Sequence, residues 1–165
     1  MKKIMLYILL GIIFLLLVIL IVGLLLPKTR TIQKETVFNA PVEVVYNTVI
    51  NNKDWEYRKS VDDLQIIETI GDIEIWEETS GGNVIRFKTV EKIPFTFYSF
   101  EMDSKLFKGN WSAEFEAIET NKTRFIATES IEYKNPFVRA IGYIFINLDK
   151  YMEIYQNELR DKVEN

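Results

Sequence analysis

Residues Ile4 to Leu26 form an unbroken apolar run of 23 residues, softened only by Tyr7, Gly11 and Gly23. As a helix rising about 1.5 Å per residue, the run is about 34 Å long, enough to cross a hydrocarbon core roughly 30 Å thick. No side chain in it is charged, and a helix satisfies its own backbone groups, which is the condition for spanning lipid. The expectation is one transmembrane helix over residues 4–26, followed by one folded domain over 27–165. A cleaved signal peptide is the competing reading, but its apolar region is about 7–15 residues and closes on a small-residue cleavage site. This run is longer and ends in Leu24-Leu25-Leu26-Pro27-Lys28, and the absence of cysteine excludes lipoprotein attachment. Lys2 and Lys3 precede the run while Lys28, Arg30 and Lys34 follow it, so the positive-inside rule is nearly balanced. The very short basic N-terminus favours an inside amino terminus and an extracytoplasmic domain.

Taking the first 26 of the 165 residues away leaves 139, ample for one domain with its own core. Of 20 basic residues only Lys2 and Lys3 lie before that point, so 18 face 24 acidic ones, a net charge of −6. The basic residues are scattered, which leaves neither a nucleic-acid footprint nor a polybasic face. Histidine and cysteine are both absent. That removes thiol nucleophiles, disulfides, Cys/His zinc sites and His-dependent triads. Any catalysis has to run on carboxylates, Tyr, Lys or Arg.

Thr31–Phe38 reads as a strand, and Asn39-Ala40-Pro41 stops it and opens a helix from Val42 to about Ile50. Trp55-Glu56-Tyr57 falls in a short connector. Short β-like runs then follow at roughly 8–12-residue spacing: Leu64–Thr69, Ile73–Thr79, Asn83–Lys92, Phe95–Ser104, Asn110–Ala117 and Thr123–Tyr133. If Gly81-Gly82 is a two-residue turn, Glu77 lies opposite Arg86 and Trp76 opposite Phe87. Trp111, Ala113, Phe115 and Ala117 alternate with Ser112, Glu114 and Glu116, as expected of an antiparallel sheet with one buried face. A long final helix is expected from Asn135-Pro136, with an apolar stripe running through Phe137, Ile141, Ile144, Leu148, Tyr151, Tyr155 and Leu159.

Strand, helix, short helix, six strands and a long last helix is the order of the helix-grip fold. The chain resembles the polyketide cyclase/dehydrase-like branch of the START and Bet v 1-like (SRPBCC) superfamily. The resemblance rests on Phe38-Asn39-Ala40-Pro41-Val42-Glu43-Val44-Val45-Tyr46, Trp55, Gly71 ahead of the strand bearing Trp76, Asn121-Lys122-Thr123-Arg124-Phe125 and Asn135-Pro136-Phe137. It covers about residues 30–160. It implies an α+β fold, a curved antiparallel sheet wrapped around the last helix, with a cavity for an apolar small molecule or lipid between them. Members of that superfamily include binding proteins and cyclases, so the fold does not choose a function.

The candidate cavity residues are Trp76, Phe87, Tyr98, Phe100, Trp111 and Phe115 from the sheet, with Tyr143 and Phe145 from the last helix. The alternative for all of them is that they simply fill the core. Glu78 shares the inward face with Trp76, and Arg124 is expected to face it from the last strand. This pair would orient a polar ligand end or, with Tyr98 or Tyr143, serve a cyclase-like enzyme. Ser80-Gly81-Gly82-Asn83 lies between strands and is a turn rather than a phosphate loop. Asp62-Asp63 and Glu77-Glu78 are sequence neighbours that point to opposite faces of a strand, so no metal site is expected. No cofactor is expected either. The leading reading is membrane-anchored binding of an apolar or amphipathic small molecule or lipid, with no nucleic-acid partner. A protein-interaction module with a filled cavity ranks second, its partner unknown, and an enzyme third.

Overall fold

The computed structural model describes residues 2–165. It opens with the apolar helix α1 (Lys2–Leu25), followed by β1 (Thr29–Phe38), α2 (Val42–Ile50) and a single 3₁₀ turn at Asn52–Asp54. Six further strands come next: β2 (Asp63–Ile70), β3 (Ile73–Ser80), β4 (Asn83–Ile93), β5 (Phe97–Asp103), β6 (Phe107–Glu119) and β7 (Lys122–Tyr133). Two helices close the chain, α3 (Pro136–Phe145) and α4 (Leu148–Val163). The seven strands form one antiparallel sheet in the order β1-β7-β6-β5-β4-β3-β2. This is the expected α+β helix-grip architecture.

The β3–β4 hairpin has the expected register. Gly81 and Gly82 both sit at positive φ, 54° and 78°, the combination a two-residue turn needs to match the twist of its strands. Trp76 then pairs with Phe87 and Glu77 with Arg86. The Glu77 and Arg86 side chains meet at 3.6 Å on the solvent face. Register shifts at Ile66/Glu68, Thr89/Glu91 and Ala117/Glu119 insert extra residues and bend the strands, so the sheet curves toward its apolar face. Phe38, Trp76, Tyr98, Phe125 and Leu159 are almost wholly buried there.

The last helix departs from expectation, because it is two helices. Ile146 is extended and Asn147 caps α4, its side chain accepting a hydrogen bond from the Lys150 N–H. The break turns the two segments independently. In α4 the stripe does face the core through Leu148, Tyr155 and Leu159, whereas Tyr151 is exposed and Met152 is buried beside them. In α3 the residues expected to face the core, Phe137, Ile141 and Ile144, point away from it, and Arg139, Ala140 and Gly142 are buried instead. α3 packs on α1, and α4 lies against β1 and α2. Gln156 donates to the Lys34 carbonyl and Arg160 to the Thr36 hydroxyl, at 3.1 and 2.6 Å. The grip helix thereby covers the edge of β1.

Two substitutions separate packing from capping. Leu159→Ala, at a fully buried position, is expected to lower stability by about 2–5 kcal/mol. Asn147→Ala, which removes the α4 cap, costs about 1 kcal/mol. Urea midpoints of the full chain in detergent measure both, and equal losses would contradict the assignment of α4 as the core helix.

Candidate functional site: an aromatic cavity with an unpaired carboxylate

A cavity of about 180 Å³ lies between the curved sheet and α4. Its walls are made by two cross-strand aromatic pairs. Trp76 stacks on Phe87 and Phe100 on Trp111, each at 5.1 Å between centroids and 9° between planes. Both pairs are direct register partners, so the pleat that puts these side chains on one face also brings the rings into contact. The pairs meet edge to face, Trp76 with Phe100 and Phe87 with Phe100, at 5.4 Å in both cases. Tyr155 from α4 closes the far side, its ring perpendicular to Trp111 at 6.0 Å.

Five of the eight expected residues therefore line this cavity: Trp76, Phe87, Tyr98, Phe100 and Trp111. Three do not. Phe115 is buried further along the same face, edge-on to Tyr46 and Phe125. Tyr143 packs on Tyr133 at 5.8 Å and lies under the Arg30 guanidinium. Phe145 is 77 % exposed on the outward side of α3. A larger depression of about 730 Å³ lies on the outer side of the sheet. It is shallow, and Lys88, Glu101, Lys108 and Glu132 belong to its rim, so it offers a guest little enclosed apolar surface.

Glu78 faces inward beside Trp76, as expected, but its partner is not Arg124. Arg124 lies on the outer face, bonded to Glu35 at 2.9 and 3.0 Å and to Glu116 at 3.2 Å. The reason is the alternation of β7: Phe125 is fully buried, so its neighbour must point the other way. Glu78 instead accepts hydrogen bonds from Arg58 at 2.7 Å and from the Trp76 indole N–H at 2.9 Å. Burial pulls the Arg58 guanidinium down, but Glu78, with Tyr57 and Tyr155, more than offsets this, and its pKa is raised. The cation is held charged inside the cavity wall. The set once considered for catalysis is dispersed: Glu78 and Tyr98 line the cavity, Tyr143 lies under Arg30 and Arg124 is outside.

The least expected residue is Glu129. The inward phase of β7 is Phe125, Ala127, Glu129, Ile131 and Tyr133, of which all but Glu129 are buried apolar or aromatic side chains. Glu129 lines the cavity and forms no ion pair among the described residues. Loss of solvation pushes its carboxyl up to about 7, the behaviour of an acid surrounded by apolar groups. Tyr98 is a second polar group on the lining. It is 1 % exposed, lines the cavity, and its hydroxyl neighbours that of buried Thr89. Burial raises the Tyr98 hydroxyl, and that of Tyr57 is pushed up to about 12 by the same cause. At neutral pH both are donors.

No protein-family model matches the chain, and none of the curated proteins matches it. Solved structures do. The Zhui aromatase/cyclase from Streptomyces sp. R1128 aligns over 82 % of this chain and 94 % of its own, with a TM-score of 0.71 at 9 % identity. A START superfamily protein from Mycobacterium smegmatis aligns over 81 % and 97 %, with a TM-score of 0.63 at 14 % identity. Norcoclaurine synthase from Thalictrum flavum aligns over 83 % and 87 %, with a TM-score of 0.64 at 12 % identity. The fold is that of the START and Bet v 1-like proteins. At these identities the likeness extends to the backbone path alone, and the side chains that line the cavity are this chain's own.

Glu129 gives the site a pH signature. Below about pH 4.5, its ordinary value, the carboxyl is neutral whether the chain is folded or not. As pH rises from there to about 7, the unfolded chain ionises first, so the folded state loses stability across that window. Above it the loss levels off at roughly 3 kcal/mol. Glu129→Gln should remove this slope. Thermal melts of both proteins from pH 4 to 8 give the difference curve, and parallel curves would mean that Glu129 is solvated.

Proposed function

We propose that this protein is a membrane-anchored binding protein whose helix-grip cavity takes a small amphipathic molecule, with a ring-sized apolar body and one polar or cationic end. The observation that carries the reading is the pairing of stacked aromatic walls with two polar groups on the cavity lining, the Glu129 carboxyl, which has no ion-pair partner, and the Tyr98 hydroxyl. A carboxyl that lines an aromatic cavity without a counter-charge is suited to a guest that supplies one. A filled core would have no use for it, which disfavours the interaction-module reading.

Size supports a small guest. A cavity of about 150 Å³ admits a benzene-sized molecule, and this one is about 180 Å³. A full acyl chain needs α4 to move away from the sheet. Burying about 200 Å² of ligand apolar surface supplies about 5 kcal/mol, before the cost of association. Without that cost 5 kcal/mol corresponds to about 0.2 mM, so with it an unspecialised ring compound binds only weakly. A hydrogen bond from Tyr98 or an ion pair with Glu129 would tighten the fit.

The apolar helix α1 supplies the membrane half of the proposal. It is long and apolar enough to cross a bilayer, and its side chains are exposed almost throughout, unlike those of a core helix. A cleaved signal sequence passes the same length test. Mass measurement of the membrane-extracted protein distinguishes the two.

Binding is tested on the full chain in detergent, by titrating p-cresol and tyramine while following the emission of Trp76 and Trp111. Both probes are expected to alter the emission, tyramine more strongly above pH 7, where Glu129 is ionised. Glu129→Gln should weaken tyramine and leave p-cresol nearly unchanged. Ile85→Trp, which fills the cavity from its wall, should abolish both responses. A flat titration with both probes, together with an empty protein in native mass spectrometry, would overturn the binding function.

A further inference from the structure

α3 (Pro136–Phe145) is apolar on more sides than the core can cover. Val138, Arg139, Ala140 and Gly142 face inward. Phe137, Ile141, Ile144 and Phe145 face outward at 38, 50, 66 and 77 % exposure. Their spacing of four, three and one marks a single helical face. The tip of the β5–β6 hairpin extends it: Leu106 is exposed, and its carbonyl accepts the Lys134 N–H at 3.0 Å, just ahead of α3. A contiguous face of five large apolar side chains is not an ordinary solvent surface.

The position of this face is set by α1. Gly23 lies so close to the Pro136 backbone that a Cβ there would overlap the Pro136 carbonyl. Arg139, 5 % exposed, donates its Nη1 to the carbonyls of Gly23 and Leu26 at 2.9 and 3.2 Å. Gly23 belongs to the last turn of α1 and Leu26 follows it directly; carbonyls at a helix end have no partner within the helix, and a cation there also opposes the negative end of the helix dipole. α3 is therefore fixed at the level of the final turn of α1. A helix of 24 residues is about 36 Å long, slightly more than a hydrocarbon core of roughly 30 Å. Its last turn falls at the boundary between acyl chains and headgroups. Lys28 and Lys105, both exposed and free of salt bridges among the described residues, flank the same region and suit lipid phosphates.

We propose that α3 and the Leu106 hairpin tip form a seat in the membrane interface, with the Phe137–Ile141–Ile144–Phe145 face immersed at the acyl–headgroup boundary of the bilayer that α1 spans. The proposal rests on the reading of α1 as a membrane span. It commits to lipid as the occupant because the face is continuous with α1 through the Gly23–Pro136 contact. It also positions the cavity: Phe107, the neighbour of Leu106, lines the cavity wall, which brings that wall immediately above the headgroups.

The chain has no cysteine, so single labels can be introduced without background. Leu16→Cys, Ile144→Cys, Phe145→Cys and Lys88→Cys, each carrying bimane, are reconstituted as full chains into phosphatidylcholine–phosphatidylglycerol vesicles. Quenching is read with doxyl-labelled lipids and with aqueous iodide. The expected result is that labels at 144 and 145 lose most of their emission to doxyl groups near the glycerol backbone and little to iodide. The label at 16 should be quenched by doxyl groups deep in the acyl region, and the label at 88 by iodide alone. If 16 is quenched by lipid while 144 and 145 are quenched by iodide, α1 spans the bilayer and the seat is wrong. Protection of 144 and 145 from both quenchers would show a protein surface covering the face, and also overturns the proposal. Failure of lipid quenching at 16 removes the span and the seat together.

Discussion

The inner wall of this protein depends on two stacked pairs, Trp76 on Phe87 and Phe100 on Trp111. Each joins adjacent strands at a direct register position, so neither can form if a strand slips by one residue, because a slip would send the rings to the solvent face. The pairs also set the environment of everything between them. Rings hold the walls apart, so α4 cannot collapse onto the sheet and a cavity remains. The same rings reduce the solvation of Glu129, and that loss, rather than a neighbouring charge, is what raises its pKa.

Charge is handled in two different ways at this wall. Glu78 is engaged through one oxygen, Oε1, by Arg58 and by the Trp76 indole, and so serves to orient Trp76 within its stack. Glu129 has no such partner. A half-buried charge beside aromatic rings is costly without a counter-charge, and Glu129, its carboxyl pushed up to about 7, holds a proton below that pH. A guest that brings its own cation would offer the carboxylate an alternative to that proton. This contrast, one carboxylate committed and one available, separates the structural part of the site from the part suited to recognition.

Much of the fold was legible because turn signals are local. Gly71, Gly81-Gly82 and Thr120-Asn121 punctuate the strands, and the observed bounds mostly differ by a few residues from those inferred. Five cavity residues followed from alternation alone. The C-terminal helix was not legible in the same way, because the apolar spacing runs unbroken from Phe137 through Leu148 across the joint at Asn147. Only the docking of α3 on α1, a contact between residues more than 110 apart, shows that the stripe changes partners there. Arg58 lies in an irregular connector where periodicity carries no information. Glu129 did leave a signal, as the lone charge in the inward phase of β7. The same alternation excludes Arg124 from that phase once Phe125 is taken as inward.

Only Leu26, Pro27 and Lys28 separate α1 from β1, a reach of about 10 Å even when extended; Arg139 holds the start of that link at the Gly23 and Leu26 carbonyls, and the Tyr133 N–H holds its end at the Lys28 carbonyl. The joint leaves no swivel. A domain on a flexible stalk samples every orientation, whereas this one must turn whenever α1 turns. With α1 in a bilayer, a change in membrane thickness that tilts the helix would tilt the cavity by the same angle. In that setting local lipid composition would have a direct mechanical route to the bearing of the site.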